Sequence, residues 1–139
     1  GLAAWASRRP PAWLTAPAQG VIAIQIRRDD DFIRELLAHV HDQASWQAAV
    51  SERAFLNTLE GGCQVPVGAL ALSKDGGLWL DGVILDVDGG GASRGGIRID
   101  GAGTASAQEA GAKLAASLLA SGGAALLARA RTVASSHKS

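Results

Sequence analysis

The chain has 139 residues, in which 13 lysines and arginines balance 13 aspartates and glutamates. A net charge of zero provides no overall field to attract nucleic acid or an anionic membrane, so we expect neither as a partner. One cysteine excludes an internal disulfide, and no Cys and His spacing matches a zinc site, so we expect no metal. No apolar run approaches the ~20 residues of a membrane-spanning helix and no secretory signal is recognisable, which predicts a cytoplasmic protein.

The charges are unevenly distributed along the chain. Residues 29–100 contain all but one of the acids, whereas residues 1–28 contain arginines and no acid. We interpret most of these charges as solvated surface, with Arg27 and Arg53 as the exceptions. Methionine is absent and the first residue is Gly1, so we expect that the chain is not a complete translation product with its initiator retained.

The first strand-like run covers residues 21–26. It is apolar, β-branched and almost continuous, which is typical of a strand buried on both faces. Pro10 and Pro11 interrupt any helix that begins before them, so the preceding segment resembles a linker or a domain edge. A strand that is buried on both faces needs neighbouring strands, and these can belong to a part of the protein outside this chain.

Two helices are predicted next. Aspartates at positions 29–31 supply N-cap candidates for a helix over residues 31–41. Asp42 or Ser45 can cap a second helix, which ends near Glu60. The apolar positions of this second helix form a stripe that we expect to face a sheet: Trp46, Val50, Ala54, Phe55 and Leu59.

Three strand-like runs and two helices complete the chain. Joints rich in Asp and Gly separate the strands and are typical of hairpins, because both residues tolerate positive φ angles. Ser106 and Glu109 form a capping-box pattern for a helix that ends at Gly122. The strands are expected at residues 65–72, 78–87 and 94–100, and the last helix at residues 124–131. The predicted fold class is α+β, a three-stranded antiparallel sheet with helices packed on one face.

Cys63 lies at the predicted junction between the second helix and the first of these strands. A lone cysteine is more often a small buried hydrophobe than a functional group. Gly61 and Gly62 remove side-chain bulk, and Pro66 indicates a strand start or edge, so we expect a thiol that a ligand can reach. Because it follows a helix C-terminus, whose dipole disfavours a thiolate, we interpret the thiol as an anchor and not as an activated nucleophile.

Two segments resemble signatures of the hydroxymethylbilane synthase family, also called porphobilinogen deaminase. Residues 52–68, ERAFLNTLEGGCQVPVG, are similar to the cofactor-attachment signature of that family. Residues 15–27, TAPAQGVIAIQIR, resemble its Pro-x-x-Gly-Gln-Gly-Ala-x-x-Ile-Glu-x-Arg strand at the family's usual distance upstream of the cysteine. Thr15, Ala18 and Gln25 depart from that second pattern.

The resemblance implies a transferase of tetrapyrrole, porphyrin and heme biosynthesis. Members of the family add four porphobilinogen units to a covalently attached dipyrromethane cofactor, with loss of ammonia, and release hydroxymethylbilane. Cys63 matches the residue that carries the cofactor through a thioether. Gln19 and Gly20 match residues of the cofactor cleft, although a strand-entry turn explains them equally well. Arg27 and Arg53 are candidates for binding the pyrrole carboxylates, and a structural ion pair is at least as good an interpretation of Arg53.

The resemblance also implies a division of the chain into three parts. Residues 1–28 match the remnant and crossing strand of a missing α/β domain pair, residues 29–131 a C-terminal cofactor-anchoring α+β domain, and residues 132–139 a flexible tail. The family's catalytic aspartate and arginine cluster belong to N-terminal segments without a counterpart in this sequence. We therefore expect no catalytic residue in this chain, and no activity from the chain alone.

The expected partners are porphobilinogen, the growing oligopyrrole and the missing N-terminal domains of the same enzyme, which we expect to be monomeric. The alternative that the residues leave open is a non-catalytic, free-standing α+β module with an unmodified Cys63.

Overall fold

The computed structural model describes residues 14–59 and 65–136. Within these ranges the elements follow the order α1 (Asp31–Ala38), α2 (Gln43–Thr58), β1 (Val67–Lys74), β2 (Gly77–Leu85), β3 (Ala92–Ile99), α3 (Thr104–Leu118), a π-helical turn (Leu119–Gly123) and α4 (Ala124–Ser136). The strands form one antiparallel sheet in the order β1-β2-β3. The predicted α+β meander is therefore confirmed, with strand ends that differ from the predicted ones by no more than about two residues.

Aspartates begin both N-terminal helices, as predicted. The Asp30 carboxylate accepts a hydrogen bond from the Ile33 amide at 3.2 Å, and the Asp42 carboxylate accepts one from the Ser45 amide at 2.7 Å. These bonds satisfy amide donors that have no partner inside the helix. Helix α1 is shorter than predicted and buries none of its residues, so α1 is not part of the core.

The turn between β1 and β2 is a two-residue hairpin turn. Lys74 pairs with Gly77, and the two residues between them have positive φ angles, 52° at Asp75 and 71° at Gly76. This conformation matches the twist of the flanking strands and favours Asp-Gly. The predicted hairpin chemistry is confirmed here.

Helices α2 and α3 cover one face of the sheet, and Phe55 lies at the centre of the core. Its side chain is fully buried, as are those of Leu80 and Ile84 on β2. Glycines make room for this packing. A Cβ atom at Gly82 would lie 2.8 Å from the Phe55 ring, and one at Gly111 would overlap the Ser51 carbonyl oxygen.

The stripe predicted for α2 is only partly right. Phe55 and Leu59 are buried, but Trp46 is 47% exposed and its indole N–H donates to the Thr104 hydroxyl at 3.2 Å. The buried line on α2 includes polar residues, namely Gln47, Ser51 and Glu52. Helix α3 approaches this line closely at Gly111, where a Cβ atom would overlap the Ser51 carbonyl oxygen.

Two expectations for the C-terminal part are wrong. Helix α3 begins at Thr104, so Ser106 is not the N-cap but the third helical residue, whose hydroxyl accepts from the Gly103 amide at 3.3 Å. Helix α4 continues to Ser136, so residues 132–136 are helical where a tail was expected. The predicted break is confirmed, because Gly122 adopts a φ of 105°.

The helical stretch Thr104–Ser136 is long and apolar enough, by length and composition alone, to cross a membrane, which the sequence analysis did not anticipate. Its residues Leu114, Leu118 and Leu127 are buried in the hydrophobic core against the sheet. The stretch also bends at Gly122. These contacts are those of core helices in a globular domain.

Residues 21–27 form no ladder with the described part of the chain. Val21 is 42%, Ile22 91% and Ile24 60% exposed. Because such a strand requires neighbours from outside this domain, the crossing strand stays a prediction.

We expect Gly111→Ala to destabilise the domain by about 1–3 kcal/mol, as overpacking of a helix contact does. The added methyl group meets the backbone of α2, including the Phe55 amide at 2.8 Å, which cannot rotate away. Urea unfolding followed by tryptophan fluorescence measures the change.

The matched control is Gly91→Ala, because a Cβ atom at Gly91 meets nothing within 4 Å and its φ angle is not positive. Equal stability of the two variants would contradict the close contact between α2 and α3.

Candidate functional site

The outer edge of β1 is where three separate segments of the chain meet. The Ala69 amide donates to the Thr15 carbonyl at 3.0 Å, which places residues 14–18 beside the strand. Leu14 covers Gly68 so closely that a Cβ atom there would lie 3.0 Å from the Leu14 Cβ. The third segment is α2, which reaches the same edge through one side chain.

That side chain is Glu52, which is only 4% exposed. Its Oε1 accepts from the Ala71 amide on β1 at 2.7 Å, and its Oε2 accepts from the Ala18 amide at 2.6 Å. Burial raises the pKa of the Glu52 carboxyl above its ordinary value of 4.5, although the amide hydrogen bonds act in the opposite direction. The carboxylate therefore serves as an acceptor for two main-chain donors.

Gln19 and Gly20 belong to the turn that Glu52 holds. The Gln19 amide donates to the Ala16 carbonyl at 3.2 Å, and positive φ angles occur at Ala18, 60°, and at Gly20, 89°. Both Gln19 and Gly20 are exposed. The turn interpretation thus describes their backbone, and the Gln19 side chain remains open to a ligand from solvent.

Cys63 lies outside the described residues, in the connection of residues 60–64 between α2 and β1. Both flanks of this connection are described. Leu59, the C-cap of α2, is buried, and Val65 packs against the core. The Leu59 carbonyl accepts from the Arg131 guanidinium at 3.1 Å, which joins α4 to the start of the connection.

The two candidate arginines lie in different surroundings. Arg27 forms an ion pair with Asp30 at 3.3 Å and its side chain is 83% exposed. Arg53 is exposed on α2, directly after Glu52. The structure therefore brings Arg53, but not Arg27, onto the element that also holds the turn with Gln19.

Sequence reasoning missed Glu52 and Arg131. Glu52 stands in the quoted signature, three residues before Phe55 and on the same side of the helix, so its burial had a helical-spacing signal. Its partners carried no signal, because they are backbone amides 34 and 19 positions away in the chain. Arg131 was hidden by the expectation that the last helix ends there.

Comparisons with known proteins identify the family to which the chain is similar. Residues 46–120, more than half of the chain, match the family model for the porphobilinogen deaminase C-terminal domain. The porphobilinogen deaminase of Syntrophomonas wolfei is 42% identical over 126 residues, which cover 87% of this chain and 39% of that protein. That of Thermus thermophilus is 42% identical over 123 residues, covering 88% and 40%. That of Syntrophobacter fumaroxidans is 49% identical over 80 residues, covering 58% and 26%.

The chain is thus an α+β domain of a transferase family in tetrapyrrole biosynthesis. It belongs to the porphobilinogen deaminase family, and the resemblance predicted from residues 15–27 and 52–68 is confirmed. It spans between 26% and 40% of the length of these three relatives.

Glu52 gives the stability of the domain a pH dependence whose sign follows from its raised pKa. The folded state holds this proton more tightly than the unfolded chain, so the favourable contribution is complete below pH 4.5 and is lost as the pH rises through the folded-state pKa. We expect the free energy of unfolding of the wild type, minus that of Glu52→Gln, to fall with rising pH. Urea unfolding between about pH 4 and about pH 7 measures this difference.

Glu109→Gln is the control with the opposite sign. The hydrogen bond and charge of Lys113 lower the pKa of the exposed Glu109 carboxyl, so the corresponding difference rises with pH. A flat or rising profile for Glu52→Gln would contradict the assignment of a raised pKa to Glu52.

Proposed function

We propose that this chain is the C-terminal, cofactor-anchoring part of a hydroxymethylbilane synthase, with Cys63 as the anchor. The observation that carries the proposal is the position of the only cysteine: it lies in the α2–β1 connection, inside the region that matches the family model. The Gly-Gly-Cys sequence leaves little side-chain bulk around the thiol.

The surroundings of the connection suit an anchor. The thiol follows the C-terminal end of α2, where the helix dipole disfavours a thiolate, so strong activation of the sulfur is not built in. Attachment needs only one addition. Porphobilinogen loses ammonia, the sulfur forms a bond to the resulting electrophilic methylene carbon, and the thiol proton passes to solvent. The second ring requires a second porphobilinogen, which loses ammonia and bonds through its methylene carbon to the free α carbon of the first pyrrole, whose proton passes to solvent.

The dipyrromethane, when bound, supplies the primer to which porphobilinogen units are added. Gln19 and Gly20 fit beside such a group, because both are exposed and a Cβ atom at Gly20 would meet nothing within 4 Å. We assign the Gln19 amide to a hydrogen bond with a pyrrole or its carboxylate. Arg53 and Arg27 are the candidates for the acetate and propionate groups, and Arg27 must then exchange its Asp30 partner for the ligand.

Catalysis needs further groups. We place the catalytic aspartate and the main arginine cluster in other domains of the same enzyme, which agrees with the share of the relatives that this chain spans. The substrate is porphobilinogen, the compartment is the cytoplasm, and the complete enzyme is monomeric. The chain alone is inactive in this proposal.

Attachment of the cofactor is tested by intact mass and a colour test for dipyrroles. We expect the purified chain, after incubation with porphobilinogen and a full-length relative that supplies the growing pyrrole chain, to gain the mass of a dipyrrole at Cys63. Cys63→Ser is the matched control and must gain nothing, because the chain has no other thiol.

An unmodified thiol under conditions that label the full-length relative would refute the anchor and support the free-standing, non-catalytic module. Production of hydroxymethylbilane by the pure chain would refute its predicted inactivity.

A further inference from the structure

Glu52 joins three segments that are distant in sequence: α2, the edge of β1 and the turn of residues 16–19. Each of its carboxylate oxygens accepts one backbone amide, Ala71 at 2.7 Å and Ala18 at 2.6 Å. We propose that Glu52 is a positioning residue, which fixes the turn with Gln19 and Gly20 relative to α2 and β1. The role of this placement in cofactor binding rests on the proposed function, whereas the placement of the turn by Glu52 does not.

The geometry requires a carboxylate. Ionised Glu offers two acceptor oxygens, whereas Gln offers one oxygen and an NH₂ group that cannot accept an amide proton. Asp is one methylene shorter and cannot reach both donors from the same helix position. Binding both amides therefore requires Glu at position 52, whereas helix packing alone does not.

General stability is a weaker explanation of the same residue. Burying a carboxylate costs free energy, and none of the ion pairs found in residues 14–59 and 65–136 includes Glu52. An apolar side chain would fill this part of the core at lower cost. What the carboxylate adds is the connection between the strand edge and the turn.

The turn needs such a connection because its backbone is strained. Ala18 adopts a φ of 60°, a left-handed conformation that disfavours residues with a Cβ atom. The Ala18 amide is the donor that Glu52 accepts, so the carboxylate stabilises the strained residue directly. Gly20 follows with a φ of 89°, a conformation that glycine adopts without strain.

Both flanks of the cysteine connection are tied to this carboxylate. Glu52 lies on α2, which ends at Thr58 before the connection, and Ala71 lies on β1, which follows it. Movement of the turn relative to either flank would lengthen a hydrogen bond to Glu52. The carboxylate thus sets where Gln19 stands relative to the two elements that deliver Cys63.

Amide hydrogen exchange of the 139-residue chain, measured by NMR without any pyrrole, tests the positioning. In Glu52→Gln only one acceptor oxygen remains, so we expect exchange of the Ala18 or the Ala71 amide to accelerate by at least about tenfold, the loss expected for a hydrogen bond to a charged acceptor. The Leu80 amide in the centre of the sheet should keep its wild-type rate. Glu109→Gln is the matched control and should change neither rate, because Glu109 is exposed and pairs only with Lys113 on its own helix.

Unchanged exchange at both Ala18 and Ala71 in Glu52→Gln would overturn the proposal, and so would an equal acceleration at Leu80, which indicates a general structural role. If this variant loses its cooperative unfolding transition, an NMR pH titration of the wild type replaces it as the test. The amide proton shifts of Ala18 and Ala71 should then follow the titration of one carboxyl group, and independent titration curves would overturn the shared contact.

The labelling rate of Cys63 connects the positioning to the site. We expect Glu52→Gln to take up the dipyrrole at least about tenfold more slowly than the wild type, with Glu109→Gln unchanged. If amide exchange accelerates in Glu52→Gln but the labelling rate of Cys63 does not change, the role of Glu52 at the site is refuted. Absence of labelling in the wild type, with the expected exchange rates, would refute the proposed function and leave the positioning intact.

Discussion

The packing of Phe55 between the sheet and α3 is the contact on which the other parts of the domain depend. The ring fits against β2 because Gly82 presents no Cβ atom toward it, and Gly111 on α3 leaves room for the backbone of α2. The two glycines bring three layers of backbone close together, and dispersion contacts at that distance contribute more than a looser arrangement would. The position and rotation of α2 are therefore fixed by its most buried side chain.

The consequences of this fixed helix extend to the candidate site. With Phe55 in place, Glu52 points toward the edge of β1 and its carboxylate meets two outward-facing amides. The end of α2 is held as well, because Arg131 donates to the Leu59 carbonyl. One core contact thus orients the helix that holds the turn with Gln19 and that ends at the start of the cysteine connection.

The polar groups inside the domain are satisfied by specific partners. No buried side-chain nitrogen or oxygen of residues 14–59 and 65–136 lacks a hydrogen bond. At the end of the sheet where β1 begins, Arg129 pairs with Asp86 at 2.9 Å and with Asp88 at 2.7 Å, which joins α4 to the β2–β3 loop. Such connections make residues 132–136 a continuation of an anchored helix, and this explains why they do not form a tail.

The sequence predicted a structural feature correctly wherever a residue bonds to, or bends, the backbone within a few positions of itself. Asp30 and Asp42 begin helices through bonds three residues ahead, and Asp75-Gly76 closes a hairpin with its own backbone angles. The start of α3 was predicted wrongly because a serine hydroxyl can cap a helix either from the N-cap position or from the third helical position. The hydroxyl was recognised correctly, but it bonds backward to Gly103 from inside the helix.

The sequence by itself determined the α+β meander, the family and the candidate residues Cys63, Gln19, Gly20, Arg27 and Arg53, because alternation, turn residues and contiguous signatures are local properties of the chain. Only the tertiary structure decided which of the described residues share a surface. The role of Glu52 depends on amides 34 and 19 residues away, and the packing of α2 depends on glycines on β2 and α3. Contacts of this kind arise when the layers pack, and no pattern along the chain encodes them.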